Sequence, residues 1–475
     1  MIPLSVLLLA AATAATNPPS SSVDGNAALK HASALASLGP HPWGSPRSRA
    51  AASYVAAQLR SAGLAEVRQE DFEVKGVRGV NVVGLLKGTG QGIVVVGAHH
   101  DTAPDAPGAY DDGGGVGVMI EVARVMARRP PPPRTVVFAS WDGEEAWSTG
   151  LGTTTGSRAY VRSLGPQARD VVAAFVVEMS GWSGGKPVLQ PVAYADPLRP
   201  GGHVIAPAWL MAASLSGARN AGGSLGVGDP WLAWLYQPAV RTFRVNYYGD
   251  DLSFLQAGIP AVFASDSSFS AFYPWYHQAA DTADRLDAAA LARMGEAVRG
   301  AVDEVVRAPI RRDADADWFA VFGRVGSRWI LLLLGVAALM PGLVNGYGSG
   351  GRRLLARAVL SAAFAVLAWE DPVPALWILG LPMLASGLSS RRAAYALALV
   401  PAAGLALLGA AAAARGFAQG TWLPVWYRSA LAAALLLSAF PAVAPAGSGM
   451  NTKKKSPRPA ARPAKRGLPR ARMAS

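Results

Sequence analysis

The chain has 475 residues and a formal net charge of +13, long enough for two structural units. From residue 318 onward it carries 18 Lys and Arg against two acids, Glu370 and Asp371, a net +16 that leaves residues 1–317 at −3. A basic excess confined to the last third, beside very apolar segments, argues against nucleic acid as a partner and suits membrane topology, while the absence of cysteine excludes disulfides and thiolate metal sites.

At the N-terminus, residues 4–12 form a short apolar stretch followed by Ala12-Thr13-Ala14. This reads as a secretory signal peptide over residues 1–15, too short to span a bilayer. Residues 27–64 look helical. Strands are expected at "VNVVGLLKG", "GIVVVGAHHD", "RTVVFASWD" and "VVAAFVVEM", with helices at "GGGVGVMIEVARVMARR" and "GSRAYVRSL" between them. Continuous β-branched runs mean strands buried on both faces. The expected architecture is therefore α/β, with a mixed, mostly parallel central sheet sandwiched by helices. A helix over 287–307 closes this domain, which is set at 24–310, and a linker is expected over 311–328.

Five apolar segments follow, at 329–344, 354–369, 373–388, 393–414 and 423–445. Each is near the length that crosses a bilayer, so 329–446 is expected to be an all-α transmembrane domain of about five helices. The connections "GGRRLLAR" and "SSRRAA" are basic and "WEDP" is acidic. With the basic loops inside, the first domain lies outside the cytoplasm. The tail 447–475, with nine basic residues and no acid in "KKKSPRPAARPAKRGLPRAR", then lies inside, as the positive-inside rule predicts. The lipid bilayer is thus an expected partner.

Chemistry concentrates at the strand ends. The run "VVVGAHHDTA" stops on His99-His100-Asp101, which fits either a metal site or an ordinary polar strand end. Four further stretches bear on the choice. "GAYDDGGGVG" places Asp111-Asp112 before a helix that opens on glycines. "SWDGEEAW" places Glu144-Glu145 after a buried strand, where adjacent glutamates repel unless one binds a cation and the other holds a proton. "FVVEMSGW" ends a strand on Glu178, and "FYPWYHQAADT" supplies His277. Together they favour convergence at the carboxyl edge of the sheet, where open α/β sheets bind ligands.

These ordered blocks, with "DDLSFLQAGIPAVF" and "GSRAYV", resemble the co-catalytic di-zinc aminopeptidase family over roughly residues 27–307, and the added membrane helices resemble its endoplasmic reticulum metallopeptidase branch. The resemblance implies the zinc aminopeptidase fold, two Zn2+ per chain and peptide substrates cut at the N-terminus. It assigns Asp111 as the bridging ligand, His99 and Glu178 to one metal, and Glu145 and His277 to the other. Glu144 becomes the general base, and Asp101 a carboxylate that braces the site from behind the ligands. Asp250 is expected to support His277, and the Asp111–Asp112 peptide to be cis. Tyr276 resembles a tyrosine that helps stabilise the tetrahedral intermediate in some members, with simple packing as the alternative. Glutaminyl cyclases share the fold but lack the His of H-x-D, so His99 argues against them. A non-catalytic membrane receptor or scaffold is the third reading, disfavoured by the full ligand set. His31, His41, His100 and His203 are read as surface or packed polar residues.

Overall fold

The computed structural model describes residues 22–146, 150, 152–195, 198, 203–228, 249–268, 272–311, 318–321 and 324–327. The signal peptide, the five apolar segments and the basic tail lie outside the described residues. Among the described residues no helix is long and apolar enough to cross a membrane.

The chain opens with α1 (Gly25–Ala36) and α2 (Pro46–Ser61). The stretch 27–64, read as helical, thus holds two helices. Between them "LGPHPWGSP" holds Gly39 and Gly44 at φ +72° and +79°, conformations that break a helix and suit glycine. Ser45 then caps α2 by accepting from the Ser48 N–H at 3.0 Å, with Pro46 at the first helical position, the usual start signal. A hairpin follows, β1 (Glu66–Val74) and β2 (Val77–Leu86). Its two-residue turn, Lys75-Gly76, has both φ positive, at 49° and 85°, the backbone twist that tight hairpins prefer.

The remaining strands of the main sheet are β3 (Ile93–His99), β4 (Thr135–Trp141), β5 (Val171–Val177), β6 (Val188–Gln190), β9 (Gly226–Val227) and β10 (Ala261–Ser265). The strand order is β1-β2-β4-β3-β5-β10-β6-β9. Strands β4, β3, β5 and β10 run parallel, and β1, β2 and β6 join antiparallel. This is the expected mixed, mostly parallel centre. A separate small ladder pairs β7 (Ala193–Ala195) with β8 (His203–Ile205).

Helices cover both faces. On one, Val94, Val96, Phe138 and Phe175 pack with α1, α2, α3 (Gly115–Ala127), α5 (Ala208–Asn220) and α7 (Ala288–Val305). On the other, Val95, Trp141 and Val176 pack with Tyr160 of α4 (Thr155–Ser163) and Phe254 of α6 (Asp251–Gln256). The glycine run before α3 serves this packing. A Cβ at Gly114 would collide with the carbonyl of Ser180, and one at Gly115 with the Asp112 carboxylate and the Val177 carbonyl. The helix can thus press against the end of β5.

Within the stretch expected as a linker, β11 (Trp318–Val321) pairs antiparallel with β12 (Arg324–Ser327). The Trp318 indole is fully buried, and its N–H donates to the Ala206 carbonyl at 2.7 Å. This part of the segment is docked on the domain beside α5.

The parallel strands end level. His99 pairs with Trp141, Gly97 with Val176, and Ala264 with Val177. One edge of the sheet therefore presents His99, the Asp142–Glu145 turn, Glu178 and Asp266 side by side.

Candidate metal centre

At the end of β3, the His99 ring is buried and held by Nδ1, which donates to the Asp101 carbonyl at 3.0 Å. That bond fixes the ring and leaves Nε2 facing the Asp111 Oδ1 atom at 3.2 Å. A metal-ligating histidine is typically oriented in this way. Asp111 sits in the turn before α3, and the Asp111–Asp112 peptide is cis, as expected. Asp112 Oδ1 accepts from Gly115 N–H at 3.0 Å and Met179 N–H at 3.2 Å, tying α3 to the end of β5.

Glu144 and Glu145 follow β4. Asp101, fully buried, holds both by the backbone: its Oδ1 accepts from the Glu144 N–H at 3.0 Å and its Oδ2 from the Glu145 N–H at 3.1 Å. His277 arrives from a distant loop. Its Nε2 lies 2.6 Å from Glu145 Oε1 and 3.1 Å from Asp111 Oδ2. One nitrogen thus faces two carboxylates, as a proton or a cation between them requires. The Tyr276 ring stacks on the His277 imidazole, with centroids 3.6 Å apart, and Phe272 meets Tyr276 edge-on at 5.0 Å. Tyr276 thus lies against a site histidine.

Ligand atoms of His99, Asp111 and Glu145 all lie within 4.8 Å of one another, and His277 closes on two of the three. Glu178 stands outside that tight group. It sits at the end of β5, where its Oε1 accepts from the Asp250 N–H at 3.3 Å. Asp250 therefore neighbours Glu178, and the expectation that it supports His277 is corrected. The His277 loop is tied down by Asp281 instead, whose carboxylate accepts from the backbone N–H groups of Tyr110 and Asp111. Asp266, after β10, accepts from the Tyr110 hydroxyl at 2.6 Å and the Gly181 N–H at 2.6 Å. Neither Asp281 nor Asp266 was singled out in the sequence. Asp266 carries the signal that marked Glu178, an acid directly after a buried strand, and Asp281 stands four residues beyond His277.

The electrostatics show crowding. Burial, then the charges of Glu145 and Glu178, push Glu144 well above the carboxylate range. Burial also raises Glu145 and Glu178. For Asp111, burial acts upward, but hydrogen bonds from His277 and His99 win and hold it low. For His277, burial acts downward, but the Glu145 charge and the bonds to Asp111 and Glu145 lift it to about 10. His99 is likewise raised, its bonds to Asp101 and Asp111 outweighing burial. Imidazoles and carboxylates are thus packed so that positive charge between them is favoured. Backbone strain gathers here too. Of four non-glycine residues with positive φ among the described residues, Met179 follows Glu178 and His277 is itself a site residue, at 48° and 58°. Such strain is held at functional sites where surroundings over-determine it.

Of the other histidines, His31, His41 and His100 are partnered. The His31 Nδ1 atom meets the Tyr54 hydroxyl at 2.9 Å, His41 Nδ1 meets the Gly39 carbonyl at 2.6 Å, and His100 Nδ1 meets the Ser140 hydroxyl at 2.9 Å. Burial lowers His100 to about 3, which keeps it neutral. His203 lies in β8.

Fold and site together define a buried histidine–carboxylate centre at the carboxyl edge of a helix-covered α/β sheet. Residues 81–302, just under half of the chain, match the model of Peptidase family M28. Among curated proteins it is similar to the "Probable lipoprotein aminopeptidase LpqL" of Mycobacterium tuberculosis, at 28% identity over 47% of this chain and 44% of the relative. Aminopeptidase YwaD of Bacillus subtilis is 27% identical over 48% of this chain and 45% of its own length. Endoplasmic reticulum metallopeptidase 1 of Rattus norvegicus is 27% identical over 43% of this chain and 19% of its own. The chain thus spans less than half the length of these relatives. Among solved structures it resembles BSAP, a zinc aminopeptidase from Bacillus subtilis, with a TM-score of 0.49, 16% identity, and coverage of 62% of this chain and 98% of that one.

Proposed function

We propose that this chain is a zinc-dependent exopeptidase that hydrolyses N-terminal residues from peptides, using two zinc ions and a glutamate general base. The observation that carries the reading is the convergence of His99, Asp111 and Glu145 within 4.8 Å, with the His277 nitrogen against two of them and Glu144 beside them. The donor set fits zinc, which takes imidazole nitrogen and carboxylate oxygen. In this reading Asp111 is shared, His99 and Glu178 complete one position, and Glu145 and His277 complete the other. Bound zinc supplies polarisation of the scissile carbonyl and a lowered pKa for an attacking water.

The chain's own residues do the rest. Glu144 ligates nothing in this scheme; it takes the proton from the attacking water and passes it to the departing amine. Asp101 holds the Glu144 and Glu145 backbone so that base and ligand keep their spacing. Tyr276, stacked on His277, holds that ring and lines its side of the site.

The membrane arrangement belongs to the same proposal. A signal peptide at 1–15, five spans over 329–446, a catalytic domain outside the cytoplasm and the basic tail inside account for the apolar segments and the alternation of basic and acidic loops, which follows the positive-inside rule.

The test is release of amino-acid p-nitroanilides by the full-length protein in detergent, wild type beside Glu144→Ala, with zinc counted on both. Cleavage by wild type alone, with both proteins holding about two zinc ions, is the expected result. Zinc bound without cleavage of any free-amine substrate would leave the metal centre standing and overturn the aminopeptidase reading.

A further inference from the structure

The loop that brings His277 to the site does not stop at the histidine. It turns back at Asp281, whose N–H donates to the Gln278 carbonyl at 2.9 Å. The Asp281 side chain is fully buried and reaches a segment 170 residues away in sequence. Its Oδ1 accepts from the Tyr110 N–H at 2.9 Å, and its Oδ2 from the Asp111 N–H at 3.3 Å. The Asp281 carbonyl accepts from the Ala109 N–H at 3.3 Å. Three consecutive backbone donors, ending at Asp111 itself, are thus gripped by one residue of the His277 loop.

Two tyrosines stiffen the grip. The Tyr273 hydroxyl donates to Asp281 Oδ1 at 3.0 Å. The Tyr273 ring stacks on that of Tyr110, with centroids 4.0 Å apart. Tyr110 in turn donates its hydroxyl to Asp266, which also accepts from the Gly181 and Trp182 N–H groups just beyond Glu178. The clasp therefore ties together the segments carrying Asp111, His277 and Glu178.

We propose that Asp281 is a positioning residue that sets the separation of Asp111 from His277 and thereby how tightly the metal position shared by Asp111, Glu145 and His277 is held. This rests on the zinc reading above. The hydrogen bonds run to the backbone of the ligand itself, so loosening them moves the Asp111 carboxylate relative to the His277 ring. A buried carboxylate is needed because two N–H donors must be met by two acceptor oxygens. An asparagine offers one oxygen, and its amide would point a donor at the other N–H.

The experiment uses the full-length protein in detergent as wild type, Asp281→Asn and Asp281→Ala. Asp24→Ala, which removes only the cap of α1, serves as a destabilised control. Metal-free samples are titrated with zinc by calorimetry, and cobalt-loaded samples are compared by visible absorption. Loss of a partner one bond beyond a metal ligand weakens metal binding about 10–100-fold. That loss is expected at one of the two ions in Asp281→Ala, with a changed cobalt spectrum. Asp281→Asn should fall between, and Asp24→Ala should match wild type. If all variants bind two zinc ions with wild-type affinity and an unchanged cobalt spectrum, Asp281 has a purely structural role and the assignment falls, while the zinc reading stands. If wild type binds no zinc, both fall together. Should Asp281→Ala fail to fold, the Asn variant and its cobalt spectrum decide.

Discussion

Replacing Asp101 with alanine removes the two acceptors that hold the Glu144 and Glu145 backbone, at 3.0 and 3.1 Å. Both donors are buried and lie at the end of β4. A hydrogen bond to a charged group contributes about 1.5–3 kcal/mol, so the pair contributes about 3–6 kcal/mol to keeping this turn closed. That is a large share of a typical domain's ~5–15 kcal/mol, so a local readout is the sensitive one. Amide hydrogen exchange across residues 142–146 should show protection at Glu144 and Glu145 in wild type and at least about a 100-fold loss in Asp101→Ala, since about 1.4 kcal/mol corresponds to tenfold. Activity should fall with it. A misplacement of about 1 Å at a reacting group costs on the order of 100-fold, and the loss should appear mainly in kcat. Asp101→Asn, with one acceptor left, should lie between. Unchanged protection of both amides in Asp101→Ala would refute the assignment of Asp101 as the clamp.

Other perturbations separate the remaining parts. Asp266 is raised from 3.8 to about 7, chiefly by burial; the folded state then holds a proton that the unfolded state releases, so stability falls as pH rises from about 4 to about 7. Asp266→Asn should flatten that slope and gain relative stability toward neutral pH, read from unfolding midpoints across the range. Gly115→Ala meets the Asp112 carboxylate and the Val177 carbonyl and should cost about 1–3 kcal/mol in chemical denaturation, as overpacking does. Trp318→Ala empties a fully buried site and removes the bond to Ala206; it should release β11 and β12 from the domain, seen as faster tryptic cleavage at Arg324. Chelation should lower the unfolding midpoint of wild type, because a ligand at about 1,000 times its Kd stabilises by about 4 kcal/mol.

The site was legible where a buried strand ends on chemistry. His99, Glu144, Glu145 and Glu178 each close an apolar run, and an apolar run makes an acid or histidine at its end conspicuous. Asp281 acts through hydrogen bonds to Tyr110 and Asp111, and no spacing in the chain encodes a contact between segments that far apart. Asp250 was misplaced for a related reason: it lies before α6, so its position depends on how that helix docks beside β5. In the fold, the parallel centre followed from its continuous β-branched runs. The break between α1 and α2 was obscured because alanine on both sides of "LGPHPWGSP" sustains a helical reading through three prolines. Strand β1, "EVRQEDFEV", escaped because its charges face outward on the edge of the sheet, where charged residues protect against edge pairing.

The arrangement also explains why the side chains of the centre come from so many segments. A parallel sheet delivers strand ends at a fixed spacing, close enough for His99, Glu145 and Glu178 to share one edge but too regular to enclose a cation by itself. Asp111 and His277 supply the closure, and both come from turns. Turns on a surface are held by few contacts, and here like-charged carboxylates push them apart. Asp101, Asp266 and Asp281 answer that problem in the same way: each spends its two oxygens on backbone N–H groups or a tyrosine hydroxyl of a ligand-bearing segment. The acceptor oxygens that fix the turns thereby sit one layer behind the side chains that face the proposed metal position. The centre thus consists of two concentric sets of acids, the inner one suited to cations and the outer one to main-chain donors.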